Sequence, residues 1–265
     1  MHLQRNLKRC DRDTFHVYSS RILNSSNSVE VRCSIVEAAA RDMNLLETES
    51  KTKDLFDKFL REVVSDVSTH LRMGGRNPKK LLKLFSDYRA TLDPQTFWHY
   101  DTDGNAFVIN LLDLLYIPSW RLASILLHEA EHVLFLKSKG MLYAPEPRQE
   151  EFAEKFKREG EIRALKAEWR FLLAIKRYVP PETRTYATTR MYRIDKIDDI
   201  INDAVNWLSE LKENKDTQAK KYYEGAEKIA LNNHAQICSM LGIELPKPNS
   251  DGKYKQLRID LKLRT

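Results

Sequence analysis

Glycine and proline are sparse, with eight and nine in 265 residues. That scarcity excludes collagen-like and low-complexity chains. It also leaves long stretches without helix breakers. Cysteine is sparser still. Cys10, Cys33 and Cys238 are odd in number, far apart and without a CxxC pair. They argue against a disulfide framework and against a cysteine-based zinc knuckle, and free thiols fit a reducing compartment. No run approaches 18 apolar residues, since Asn110, Asp113 and Arg121 break even the greasy segment 106–127. No membrane-spanning helix is expected. Residues 1–16 lack the apolar stretch of a secretory signal. Together these absences predict a soluble, cytoplasmic protein.

Charge is plentiful but unsorted. Lys and Arg number 44 against 38 Asp and Glu, a formal excess of +6, and no block of one sign stands out. Most of these residues read as a solvated surface. Net charge and the Lys/Arg-rich tail at 253–264 are all that suggests nucleic acid as a partner, because no recognised binding motif accompanies them. With 42% apolar residues and 31% charged, the chain reads as globular and helix-rich.

The pattern along the chain predicts an α+β fold, mainly α-helical, in one domain over 1–265. Residues 1–28 are a polar, weakly structured lead-in. The region 29–95 reads as helical. Val31, Ile35, Val36 and Ala39 recur at helical spacing, and Leu55, Phe56, Phe59, Leu60, Val63 and Val67 form an amphipathic stripe. Gly74-Gly75 stops that stripe. Asn77-Pro78 starts a helix predicted over 78–90. Two β-prone runs, 96–100 and 106–112, flank the turn residues Asp101 to Asn105 and predict a hairpin. This is the one convincing sheet signal. A helix follows from Ser119, a plausible N-cap, to about Lys139, where Gly140 ends it. A longer helix is expected over 149–178, before Pro180-Pro181. Helical patterns near 193–213 and 216–241 and a short strand near 256–262 complete the C-terminal region, 179–265.

The chemistry concentrates in 96–178. His128-Glu129-Ala130-Glu131-His132 fits H-E-x-x-H inside the helix from 119. Residues four apart lie on one face, roughly 6 Å apart along the axis, so two imidazoles can converge on one tetrahedral zinc ion. Glu129 stands beside the pair, placed to take a proton from water on the ion. Random order of this composition would give about 0.014 such pentads. Four ionisable groups among Ile125, Leu126, Leu127, Val133, Leu134 and Phe135 are also costly to bury without a shared partner.

Two histidines leave a third protein ligand to find. Residue 135 is Phe, 138 is Ser, and the next histidine is His234, so the class with a nearby third His is excluded. The helix over 149–178 offers Glu154, Glu159, Glu161 and Glu168. Gly160 and Ala164, beside and one turn after Glu161, would let this helix approach closely, which points to Glu161. The other three read as a solvated face. Asp113 and Glu131 are the candidates to support a ligating His, and Glu131 reads equally as an exposed residue. His99, Tyr143, Tyr186 and Tyr192 are the candidates for a further oxyanion donor, and the sequence does not choose among them.

With these residues in place, the chain resembles gluzincin-type zinc metallopeptidases, in particular the compact minigluzincins. The likeness rests on the strand Phe107–Leu111, the H-E-x-x-H helix and the later Glu161-Ile162-Arg163-Ala164, an E-x-x-A pattern. It covers about residues 96–178. It implies a zincin-like core with a small sheet packed on the H-E-x-x-H helix. It implies one zinc ion per chain held by His128, His132 and Glu161, with Glu129 as general base of a peptidase. It also implies an edge strand that holds an extended peptide or protein substrate. The rival expectation is a catalytically silent binding module acting through its helical flanks. Retention of Glu129 argues against it, because a purely structural metal site has no use for a general base.

Overall fold

The computed structural model describes residues 63–91, 99–101, 105–110, 117–141, 150–179, 184–188, 193–213, 250–251 and 256–258. The predicted lead-in, the pattern at 29–46, most of the stripe before residue 63 and the helix near 216–241 lie outside the described residues. Within them the fold is α+β and mainly helical, as the sequence predicts.

Helix α1 (63–73) presents Val63, Val67 and Leu71 to the core at i, i+4 and i+8. Gly75, at φ 72°, reverses the chain, and the Arg76 N–H donates back to the Leu71 carbonyl at 2.8 Å. This is a six-to-one C-cap that favours glycine. Helix α2 (Pro78–Leu82) starts as predicted, with the Asn77 side chain accepting from the Lys80 N–H at 3.2 Å and Pro78 in the first turn.

The predicted helix over 78–90 is not one element. It ends at Leu82, and Asp87–Thr91 is strand β1. The sequence pattern missed this strand because Leu81, Leu82 and Phe85 keep helical spacing. What decides the outcome is pairing. β1 lies between two neighbours in a four-stranded sheet, ordered β2 (His99–Asp101), β3 (Ala106–Asn110), β1 and β6 (Gln256–Arg258). It runs parallel to β3, with Tyr88 opposite Phe107 and Ala90 opposite Ile109, and antiparallel to β6. The predicted hairpin is present as β2 and β3, with Tyr100 opposite Phe107. Tyr88, Tyr100 and Phe107 therefore share a face. They pack round Phe85, whose ring lies 5.0 Å from Phe107 and 5.9 Å from Tyr100.

Helix α3 (Ser119–Ser138) runs beneath this sheet and buries Trp120, Leu122, Ala123, Leu126, Leu127 and Ala130. Its N-cap is Pro118, not Ser119, which is instead the first helical residue. The Ser119 hydroxyl contacts His70 Nε2 at 3.1 Å rather than capping the helix. At the other end Gly140 takes φ 69° and the Met141 N–H returns to the Leu136 carbonyl at 3.0 Å, the glycine stop that the sequence predicts. Helix α4 (Glu150–Ile175) packs along α3 and buries Ala164, Leu165, Phe171 and Leu172. The next helical pattern is shorter than expected. Arg193–Lys196 is strand β5, paired with β4 (Thr185–Thr188), and helix α5 spans Ile197–Lys212. α5 buries Ile197, Ile200, Ile201, Ala204 and Leu208.

Candidate metal centre

Burial sorts the ionisable pentad on α3. Leu126, Leu127, Ala130 and Val133 go to the core. His128, Glu129 and His132 share the adjoining face, where one donor atom of each lies within 4.8 Å of the others. The two imidazole rings are 5.0 Å apart at their centroids.

Helix α4 supplies the next carboxylate. Its contacts with α3 run in opposite directions along the two chains: Glu159 with Lys139, Glu161 with both histidines, Arg163 with Glu131, and Glu168 with His128 and Arg121. The helices are antiparallel. They approach closely at Gly160, where an added Cβ would stand 3.3 Å from Phe135 Cδ1 and 3.5 Å from His132 Nδ1. The missing side chain at 160 is what lets the neighbouring Glu161 reach between the histidines. Its Oε2 is 3.5 Å from His128 Nε2 and its Oε1 is 3.5 Å from His132 Nε2. A tetrahedral ion with bonds of about 2.0–2.1 Å separates its donor atoms by about 3.4 Å. Each imidazole stands near that spacing from a different oxygen of Glu161, while the three residues whose single donor atoms all lie within 4.8 Å of one another are His128, Glu129 and His132.

A second set of contacts fixes these donors. Glu168, 5% exposed, places Oε2 2.9 Å from His128 Nδ1. Its other oxygen accepts from the Arg121 guanidinium, which also donates to the Ser124 hydroxyl at 2.7 Å. A carboxylate behind a histidine directs the opposite ring nitrogen forward, so Glu168 aims His128 Nε2 at Glu161. Glu129 is held from the sheet. The Tyr100 backbone N–H of edge strand β2 donates to Glu129 Oε2 at 3.0 Å.

The electrostatics follow from this packing. Burial pushes the Glu129 carboxyl up to about 7, and the positive charge of His128 and the Tyr100 N–H restrain it. Burial pulls His132 down to about 4 against the opposing pull of Glu161, so its imidazole is neutral at physiological pH. Burial would also lower His128, but Glu161 and Glu168 outweigh it and hold the ring well above its ordinary value. Glu168 resists the upward push of burial, and Arg121 with His128 keeps it at about 2. Glu161 likewise stays below its usual range, because both histidines face it and outweigh burial. The pocket thus concentrates negative charge around one proton on His128, where a cation would take its place.

Several expectations need correction. Glu168 is not part of a solvated face; it is buried and bridges two α3 side chains. Glu131 does not support a histidine and is not exposed; at 9% exposure it pairs with Arg163 Nε at 3.0 Å. Glu159 does lie outward, 3.3 Å from Lys139. His99 sits on β2 next to Tyr100 and on the opposite sheet face. Asp113, Tyr143 and Tyr192 lie outside the described residues, as do the side chains of Glu154 and Tyr186. Sequence reasoning missed Arg121 and the Tyr100 N–H. Arg121 had a signal: it stands seven residues before His128, as Glu161 stands seven before Glu168, a matched spacing on two antiparallel helices. The Tyr100 N–H had none, because a main-chain donor carries no side-chain identity.

Among the described residues, no helix is long and apolar enough to cross a membrane. Comparison with known protein families, with characterised proteins and with solved structures finds no match.

Proposed function

We propose that the chain is a zinc-dependent hydrolase that cleaves peptide bonds in the cytoplasm, with His128, His132 and Glu161 as metal ligands and Glu129 as general base. One observation carries the reading: the Glu161 carboxylate spans both imidazole Nε2 atoms at equal distances of 3.5 Å. Zinc held there would supply a Lewis acid and a water of lowered pKa. The remaining chemistry falls to the chain. Glu129 accepts the proton of the attacking water and passes it to the leaving amine. In the metal-free protein burial already raises the Glu129 carboxyl to about 7, the direction that suits a group that both takes and returns a proton. The Tyr100 N–H keeps one Glu129 oxygen turned to the sheet and leaves the other for water. Glu168 and Arg121 hold His128 in one tautomer. The step from hydrolase to peptidase rests on the resemblance to gluzincins and on edge strand β2 beside the site, where an extended chain could pair.

Glu129→Gln tests the reading against the silent-module alternative. The variant is expected to bind zinc as the wild type does and to lose hydrolysis of a mixed peptide library by at least about 100-fold. Equal cleavage by both proteins would rule out Glu129 as the base.

A further inference from the structure

On the flank of the α3–α4 pair that does not hold the histidines lies an open cavity of about 640 Å³. Five cations line it, against the two carboxylates of Glu131 and Glu159. Both carboxylates are already paired, with Arg163 at 3.0 Å and Lys139 at 3.3 Å. Arg76, Lys166 and Arg170 are left without an ionic partner among the described residues. Lys166 and Arg170 are exposed on α4 one turn apart, and Arg76 faces them from the turn after α1.

The geometry points to a nucleic-acid backbone as the occupant of this groove, bound through its phosphates. The lining explains why this polyanion fits better than an acidic polypeptide. Protein partners need a desolvated apolar anchor, yet the groove offers only a half-buried Ile162 beside Phe135 and Ala167, each 7% exposed. An extended peptide also needs a free strand edge, and helix faces and one turn supply the lining. A phosphodiester chain needs neither. It needs guanidinium and ammonium groups on a polar surface. No exposed aromatic ring lines the groove for base stacking, so binding should be indifferent to base sequence.

The test is fluorescence anisotropy of the full chain with a labelled mixed-sequence DNA strand of about 20 nucleotides. Binding should be measurable at about 50 mM salt and fall steeply by about 200 mM. Lys166→Glu with Arg170→Glu should weaken it at least about tenfold. The same pair should flatten the salt dependence by about 0.7 in log–log slope for each phosphate no longer neutralised. Lys166→Glu alone should weaken it more than Lys212→Glu, the same charge change placed on α5. If the charge-reversed pair fails to fold by circular dichroism, Lys166→Gln with Arg170→Gln replaces it, with the same direction of effect. Absence of DNA binding at low salt would overturn the proposal. So would unchanged binding in the double variant, or equally tight binding of polyglutamate.

Discussion

Removal of the carboxylate at position 168 would take a partner from two donors, the Arg121 guanidinium, which keeps the Ser124 hydroxyl, and the Nδ1–H of His128. Removing one partner of a buried ion pair costs about 3–5 kcal/mol; the Arg121 side chain is 22% exposed, which places the cost toward the low end. Glu168→Ala is therefore expected to lower the melting temperature and to weaken zinc binding about 10–100-fold. A zinc competition titration beside a thermal melt checks both. Wild-type zinc affinity in the variant would mean that His128 is held by packing alone. On the proposed reading, metal binding at this site competes with a proton. In the metal-free protein Glu161 and Glu168 raise His128, and Glu168 stays ionised. The sign is fixed by that direction. The stabilising proton on His128 is fully present at low pH and lost as pH rises through the raised value. Zinc must displace it at neutral pH, so apparent affinity should weaken as pH falls. Calorimetry in buffers of different ionisation heat should find about one proton released per zinc near pH 7. Uptake of zinc with no proton release would contradict the charge state assigned to His128.

At the scale of elements, the centre depends on how closely α3 and α4 approach. Gly160 sets that distance, and a Cβ there meets Phe135 and His132 at 3.3–3.5 Å. Gly160→Ala should cost little, because a shift of a few tenths of an ångström in Phe135 accommodates it. Gly160→Leu should push the helices apart, destabilise the fold by about 1–3 kcal/mol and abolish zinc binding while the helical circular dichroism persists. Retained zinc in that variant would show that Glu161 reaches the histidines without the close approach. A second close approach lies at the far end of α4. A Cβ at Gly74 would stand 2.3 Å from Phe171 Cδ2, and Phe171 is one of the largest fully buried side chains. Gly74→Val should lower the melting temperature more than Gly75→Ala, whose added Cβ meets nothing and whose cost is backbone conformation alone. The reverse order in thermal melts would contradict the packing described for the α1 turn.

For the whole molecule, the sequence was most legible where one helix or one turn specifies itself. The α3 pentad, the Gly140 stop, the Asn77 cap and the β2–β3 hairpin needed only local spacing and turn chemistry. The approach of Glu161 to both histidines was legible as well, because Gly160 and Ala164 announce a close helix contact. Strands β1 and β5 were not. Both are short, and their neighbours keep helical spacing; their state is decided by partners elsewhere in the chain, β3 and β6 for one and β4 for the other. The support for the site was hidden for the same reason. Glu168 resembles any charge on a helix until α3 is laid antiparallel to α4, and only then does its spacing match that of Arg121 and His128. The direct test of the central claim is the zinc content of purified wild-type protein, measured by plasma mass spectrometry beside His128→Ala. About one zinc per wild-type chain and none in the variant is the expected result; a wild-type chain that takes up no zinc, or a variant that holds as much, would contradict it.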